Sequence, residues 1–262
     1  MPLTRLRHGP IALVTGAAHG IGRAFAQQLA AAGFGLLLVD IDAAGLAELR
    51  GSLPDPAQVD LLCVDLRRDF LPALDAALQG QDLGLLIANA GSAGTGAFVD
   101  QPLAADLDVL DLNCRANLTL LHRLLPGLVA RGRGGVVLVA STVAMNGGPY
   151  IANYAATKAY LLALGDALAV ELRGTGVDLQ VLAPGMTDTP GLRGSLDPAT
   201  ARFAPMRAED VVSASLAALG DRHLVVPGAL NRVATGLSRF LLPRRLRHLL
   251  LARKSIRPFT PD

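Results

Sequence analysis

The chain has 262 residues, 51% of them hydrophobic and 18% charged. That balance excludes a disordered chain and suits one large α/β domain or two small ones. The formal charge of +2 is unevenly spread: residues 229–262 hold eight Arg/Lys against one acid, Asp262, which is +7, so residues 1–228 carry −5.

The opening residues, MPLTRLRHGP, predict no secretory leader and pass straight into a first strand. No run of about 18 apolar residues offers a membrane span. Strands are expected at Ile11–Thr15, Gly35–Val39, Val59–Val64, Gly84–Ala88, Val136–Ala140, Leu179–Leu182 and His223–Val226. Most are continuous apolar runs, the signature of strands covered on both faces. Between them Gly22–Ala32, Ala43–Leu53, Leu103–Arg131 and Tyr154–Gly174 carry apolar residues at helical spacing. This alternation predicts a Rossmann-type, doubly wound parallel sheet of about seven strands with helices on both faces. Residues 1–228 form one domain on this reading, with a long loop at about 186–206, and residues 229–262 form a basic, amphipathic helical extension. Cys63 and Cys114 lack metal-type spacing and are expected to be buried, reduced thiols in a cytoplasmic setting; no metal site is expected.

Residues 15–22 read TGAAHGIG, between the first strand and the first long helix. Gly16 allows a tight turn, Gly20 a close approach of backbone to a pyrophosphate, and Gly22 close packing of helix on sheet. Gly20-Ile21-Gly22 opens the helix, whose free N–H groups face the phosphates. His19 is expected to point to solvent, with contact to a phosphate as the alternative. Asp40 ends the second strand, 18 residues after Gly22. Its carboxylate is suited to both ribose hydroxyls of an adenosine and repels a 2′-phosphate, so NAD is favoured over NADP. The blander alternative is an aspartate that caps a turn.

Together these motifs resemble the short-chain dehydrogenases/reductases over roughly residues 10–228. Thr15, Gly16, Gly20 and Gly22 match the family's T-G-x-x-x-G-x-G. Asp65 matches the acidic residue that the family places near adenine. Asn89-Ala90-Gly91 matches N-A-G, and Asn113 the helical asparagine of the catalytic tetrad. Ser141 lies 13 residues before Tyr154, and Tyr154 through Lys158 match Y-x-x-x-K, with Thr157 where serine is commoner. Pro184, Gly185 and Thr189 match the P-G-x-x-x-T that holds the nicotinamide carboxamide. The resemblance implies an oxidoreductase that passes hydride between a nicotinamide and an alcohol or ketone. Tyr154 is then the acid/base, its pKa lowered by Lys158 one helical turn away. Ser141 bonds the substrate oxygen, Lys158 binds the ribose, and Asn113 holds a water that links Lys158 to solvent. The family also implies a homodimer or homotetramer built on Leu103–Arg131 and Tyr154–Gly174.

Segments 92–99, 142–151 and 186–206 should border the substrate and bring Phe98, Val143, Met145, Tyr150, Met186 and Phe203. Few charges accompany them, which suits an apolar alcohol or ketone; ordinary loop packing is an equal alternative. Two rivals remain: an NADPH-dependent ketoreductase of acyl chains, opposed by Asp40, and a non-catalytic cofactor sensor, opposed by the complete Asn113/Ser141/Tyr154/Lys158 set. Over 229–258, Leu230, Val233, Leu237, Phe240 and Leu241 share a helical face among arginines. Packing on the domain or a partner subunit is weighed slightly above peripheral contact with anionic lipid. Nucleic acid is set aside, because interleaved aromatics and a known motif are lacking.

Overall fold

The computed structural model describes residues 3–54, 58–193 and 204–237, with residues 243 and 245. The chain opens with a one-turn helix, α1 (Arg5–His8), rather than passing straight into a strand; the Thr4 hydroxyl caps it by accepting from the Arg7 N–H. Strand β1 (Ile11–Thr15) then leads to α2 (Gly20–Ala31), β2 (Gly35–Asp40), α3 (Ala43–Ser52) and β3 (Val59–Cys63). Next come α4 (Leu71–Leu78), β4 (Leu83–Ala88), α5 (Leu103–Leu110) and α6 (Ala116–Arg131). They are followed by β5 (Gly134–Val139), α7 (Ala152–Glu171), β6 (Val177–Leu182), β7 (Thr187–Asp188) and α8 (Pro190–Arg193). The described chain continues through β8 (Met206–Arg207), α9 (Ala208–Ala218), β9 (Leu224–Val225) and α10 (Ala229–Gly236).

Seven strands form one parallel sheet in the order β3-β2-β1-β4-β5-β6-β9. The chain starts at the centre, runs outward to β3, and returns to place β4 against the other side of β1. This reversal opens a crevice at the carboxyl ends of β1 and β4, where doubly wound sheets bind ligands. The sheet has a core on each face. Phe25 and Leu29 of α2, Leu46 and Leu49 of α3 and Val211 and Val212 of α9 fill one. Leu74 of α4, Leu120 and Leu128 of α6 and Leu161 of α7 fill the other. Strands β1, β4 and β5 are buried along their whole length, as their continuous apolar sequences require.

Several expectations are corrected. Strand β3 is at the sheet edge and half exposed, so Cys63 is exposed rather than buried; Cys114 is partly exposed. The expected single helix Leu103–Arg131 is interrupted at Asp111–Arg115 by a wider π-helical turn. Part of the region 186–206 is ordered as β7 pairing with β8; residues 194–203, including Phe203, lie outside the described residues. At the amino ends of the strands, opposite the ligand crevice, buried His8 and half-buried Arg7 both bond Asp178 of β6, at 3.0 and 2.6 Å. Burial pushes the Asp178 carboxyl up, and the two hydrogen bonds overcome that and leave it below its ordinary value.

Candidate active site

The glycine loop turns sharply after β1. Gly16 (φ 64°) and Gly20 (φ 53°) occupy the left-handed region that favours glycine. A methyl group on Gly22 would run into the Gly16 carbonyl, and one on Gly20 would lie 2.7 Å from the Thr189 methyl. Thr189, expected from the P-G-x-x-x-T pattern, is therefore seated directly against the loop. The first residue of α2 is preceded by His19, whose side chain makes no capping bond. Its ring instead meets the Asp42 carboxylate at 2.8 Å, half exposed. The opening N–H groups of α2 are thus left for a ligand, and the cradle fits a pyrophosphate.

Asp40 does what a turn-capping aspartate does: its two oxygens accept from the Ala18 and Asp42 N–H groups, at 2.9 and 3.0 Å. Each oxygen keeps a further lone pair, so this is compatible with a ribose contact. Asp65 is gripped by Arg67, whose Nε and Nη2 donate to its two oxygens at 2.9 Å each. The Arg67 side-chain bonds hold the Asp65 carboxyl below its usual value. Arg67 was not anticipated from the motif, and any adenine contact has to share the carboxylate with it.

Asn89 and Thr15 tie the two central strand ends together. The Asn89 amide donates to the Thr15 and Gly16 carbonyls, at 2.9 and 3.1 Å, while the Thr15 hydroxyl accepts from the N–H groups of Asn89 and Ala90. Gly91 follows at a point where a methyl group would meet the Asn113 Oδ1 at 3.0 Å and the Lys158 Nζ at 3.2 Å.

Asn113 lies inside the π turn and is fully buried. Its Nδ2 donates to the Ser92 carbonyl and the Thr157 hydroxyl, both at 2.9 Å, and its Oδ1 accepts from the Ser92 N–H at 2.9 Å. The side chain is thus held by three hydrogen bonds to protein partners, with one Oδ1 lone pair to spare. Asn117 donates to the Asn113 carbonyl at 2.8 Å, compensating a group that the π turn displaces from the regular ladder. Thr157 closes the link, since its hydroxyl donates to the Tyr154 carbonyl at 2.7 Å.

Ser141 follows β5 and caps the short turn Thr142–Met145, accepting from the Val143 N–H at 3.4 Å. Tyr154 and Lys158 are one turn apart on α7, and the Lys158 Nζ lies 5.7 Å from the Tyr154 ring centre. Nζ donates to the Val139 carbonyl at 2.8 Å. An ammonium has three donors, so two remain for a ligand. Burial lowers the Lys158 pKa to about 8. Burial also raises that of Tyr154, against which a hydrogen bond with the Ser141 hydroxyl acts. The expected depression of the tyrosine by Lys158 is thus not found; burial dominates its pKa. Desolvation of the phenolate outweighs an amine that is itself poorly solvated.

Two further features were not anticipated from the motifs. Tyr150 has φ 63°, the one positive value outside glycine among the described residues, and its carbonyl accepts from the Gly96 N–H at 2.8 Å. Asn231 of α10 packs so closely on Gly185 that a methyl group there would lie 2.6 Å from its Nδ2.

The short chain dehydrogenase family profile matches residues 10–198. The 7beta-hydroxysteroid dehydrogenase of Collinsella aerofaciens is 29% identical over 237 residues, covering 87% of this chain and 89% of its own. A very-long-chain 3-oxoacyl-CoA reductase of Laccaria bicolor is 35% identical over 196 residues, 70% of this chain and 57% of its own. Among solved structures, one of a study of 7beta-hydroxysteroid dehydrogenase stereoselectivity superposes with a TM-score of 0.86 at 26% identity, covering 96% of this chain and all of the other. With the sheet order, the glycine cradle and the profile in agreement, the chain belongs to the short-chain dehydrogenase/reductase family of oxidoreductases.

Proposed function

We propose that the protein transfers hydride between NAD(H) and an apolar secondary alcohol or its ketone, with Tyr154 moving the proton. The carrying observation is the cluster of buried Ser141 and Lys158 with half-buried Tyr154: the Lys158 Nζ lies 5.7 Å from the Tyr154 ring, and the Ser141 hydroxyl holds the tyrosine pKa down against burial. A bound nicotinamide would supply the hydride acceptor or donor; every other task falls to protein groups. Tyr154 donates its proton to the substrate oxygen in reduction and takes it back in oxidation. The Ser141 hydroxyl fixes that oxygen, and the two free donors of Lys158 hold ribose hydroxyls. Asn113 acts as a positioning residue through Ser92 and Thr157. Residues 1–228 make up the working domain and 229–262 an extension, and a cytoplasmic setting fits the exposed free thiol of Cys63.

An apolar substrate is supported by the partly exposed Val143 and Met145 and by exposed Met186 beside the P-G turn. The named activity of the bacterial relative, on a hydroxysteroid, agrees in chemistry with such a ligand. The fungal relative's name favours the second reading, reduction of acyl-chain ketones, for which NADPH is the expected cofactor. Asp40 and Asp42 stand against it, since two carboxylates beside the glycine loop repel a 2′-phosphate.

The deciding experiment compares kcat/KM for NAD(H) and NADP(H) over a panel of hydrophobic alcohols and ketones, in wild type and Asp40→Ala. Asp40 also holds the loop at Ala18, so both absolute rates fall in the variant and the ratio is the readout. A wild-type preference for NAD(H), narrowed in Asp40→Ala, is expected. A wild-type preference for NADP(H) removes the ribose role of Asp40.

A further inference from the structure

Helix α10 lies on the active site without an apolar face to hold it there. None of its residues is buried, and Leu230, Val233 and Leu237 are 58%, 58% and 47% exposed. The expected packing of that stripe on the domain therefore fails for its described part; Phe240 and Leu241 lie outside the described residues. A helix of eight residues is too short to hold itself by backbone bonds alone, so its seat depends on its inward side. Asn231 is central to that side. Its Nδ2 donates to the Pro227 carbonyl at 2.9 Å and to the Met206 sulfur at 3.4 Å, and its amide lies against Gly185.

Gly185 belongs to the P-G turn that the family resemblance gives to the nicotinamide. A methyl group on it would lie 2.6 Å from the Asn231 Nδ2 and 2.8 Å from its Cγ and Oδ1, the three nearest atoms outside the neighbouring residues. The Gly185 backbone is not in the left-handed region, so its own conformation does not demand glycine. Asn231 does. On its other sides the turn is pinned by the active site. The Pro184 carbonyl accepts from the Thr142 N–H at 2.9 Å and from the Ser141 hydroxyl at 3.5 Å. The Gly185 carbonyl accepts from the Thr187 hydroxyl at 3.1 Å. Met206, whose sulfur meets Asn231, donates its N–H to the Met186 carbonyl at 2.9 Å, one residue beyond the turn. Asn231 therefore touches both the turn and the β7–β8 pair that follows it, with Ser141 on the far side.

We infer that Asn231 is a positioning residue for the nicotinamide end of the site: its amide is the wedge that fixes the Pro184-Gly185 turn, and α10 thereby works as part of the site beyond residue 228. The inference rests on the hydride-transfer reading for the ligand that the turn meets, while the wedge is a contact within the protein. Wild type, Asn231→Ala, Gly185→Ala and the double variant are melted without ligand. Their affinities are then measured by calorimetry for the nicotinamide cofactor that wild type binds more tightly, and for the same molecule without its nicotinamide (ADP-ribose or its 2′-phosphate). Gly185→Ala should melt earlier and bind the whole cofactor at least ~10-fold more weakly, because a displaced turn misplaces the groups that meet the nicotinamide. Its affinity for the nicotinamide-free ligand should stay within ~3-fold of wild type, whereas general damage to the fold would weaken both together. Adding Asn231→Ala makes room for the methyl group, so the double variant should recover most of both losses; side chains in contact couple in this way. Asn231→Ala alone carries no clash and should weaken the whole cofactor by ~3-fold or more with the nicotinamide-free ligand held as before. It decides the matter if Gly185→Ala does not fold. A double variant no better than Gly185→Ala, equal losses for the two ligands, or an Asn231→Ala that binds the cofactor like wild type overturns the inference. A wild type that binds neither ligand overturns the hydride-transfer reading instead, and the melts of the four proteins then still decide the wedge.

Discussion

Burial acts in opposite directions on the two titratable groups at the centre of the site. It raises the Tyr154 pKa, so the phenol keeps its proton at neutral pH, and lowers that of Lys158 to about 8 from 10.5. Lys158 therefore makes the stability of the fold pH-dependent. Below pH 8 the folded and unfolded chains both hold the proton, and the folded one bears the full cost of a buried charge. Between about 8 and 10.5 the folded chain has released it while the unfolded chain keeps it, so stability rises with pH across that window. Relative to Lys158→Met, the wild type should gain about 3 kcal/mol in all as pH climbs from neutral to 10.5. Denaturant melts of both proteins across that range measure it; a pH-independent difference would contradict the burial of a titrating amine. The spacing of Tyr154 and Lys158 was readable in sequence because i and i+4 share a helical face. The balance between desolvation and the neighbouring charge was not, because it depends on how tightly β5 and Gly91 enclose the pair. Arg67 escaped notice for a similar reason: the motif names the acid but not the cation that folds back on it.

Elements were legible where periodicity was long and even. The continuous apolar runs of β1, β4 and β5 read directly as central strands. The Leu103–Arg131 pattern read as one helix because a single wider turn barely disturbs its apolar spacing, yet that turn carries Asn113. Edge exposure of β3 could not be read from five residues, since it follows from sheet order. The same helices point to assembly. Leu103, Leu107 and Leu110 of α5, Leu118 of α6 and Val170 of α7 are exposed. Such a surface across three helices is where a homodimer or homotetramer of the kind the resemblance implies would be built. Leu107→Asp should reduce the mass seen by light scattering while leaving the melting of the subunit near wild type; an unchanged mass would place the contact elsewhere.

At the scale of the molecule, one sheet gathers residues from far apart in the chain. Reversal of strand order at β1 and β4 sets Gly16, Asn89 and Asn113 beside Ser141, Tyr154 and Lys158 at the carboxyl ends of the strands. The order of motifs revealed that gathering in advance. The closure from the far side, by Thr189 on Gly20 and Asn231 on Gly185, was only half legible, because α10 carries no motif. On the proposed mechanism, what unites these parts is proton transfer by Tyr154. The most direct measurement is the turnover of Tyr154→Phe, followed by nicotinamide absorbance on the best apolar alcohol or ketone, with NADH affinity measured in parallel by fluorescence. Turnover should fall at least ~100-fold, the usual scale for a general acid–base group, while NADH affinity stays within a few-fold of wild type. Near-normal turnover in Tyr154→Phe would contradict a mechanism centred on that phenol.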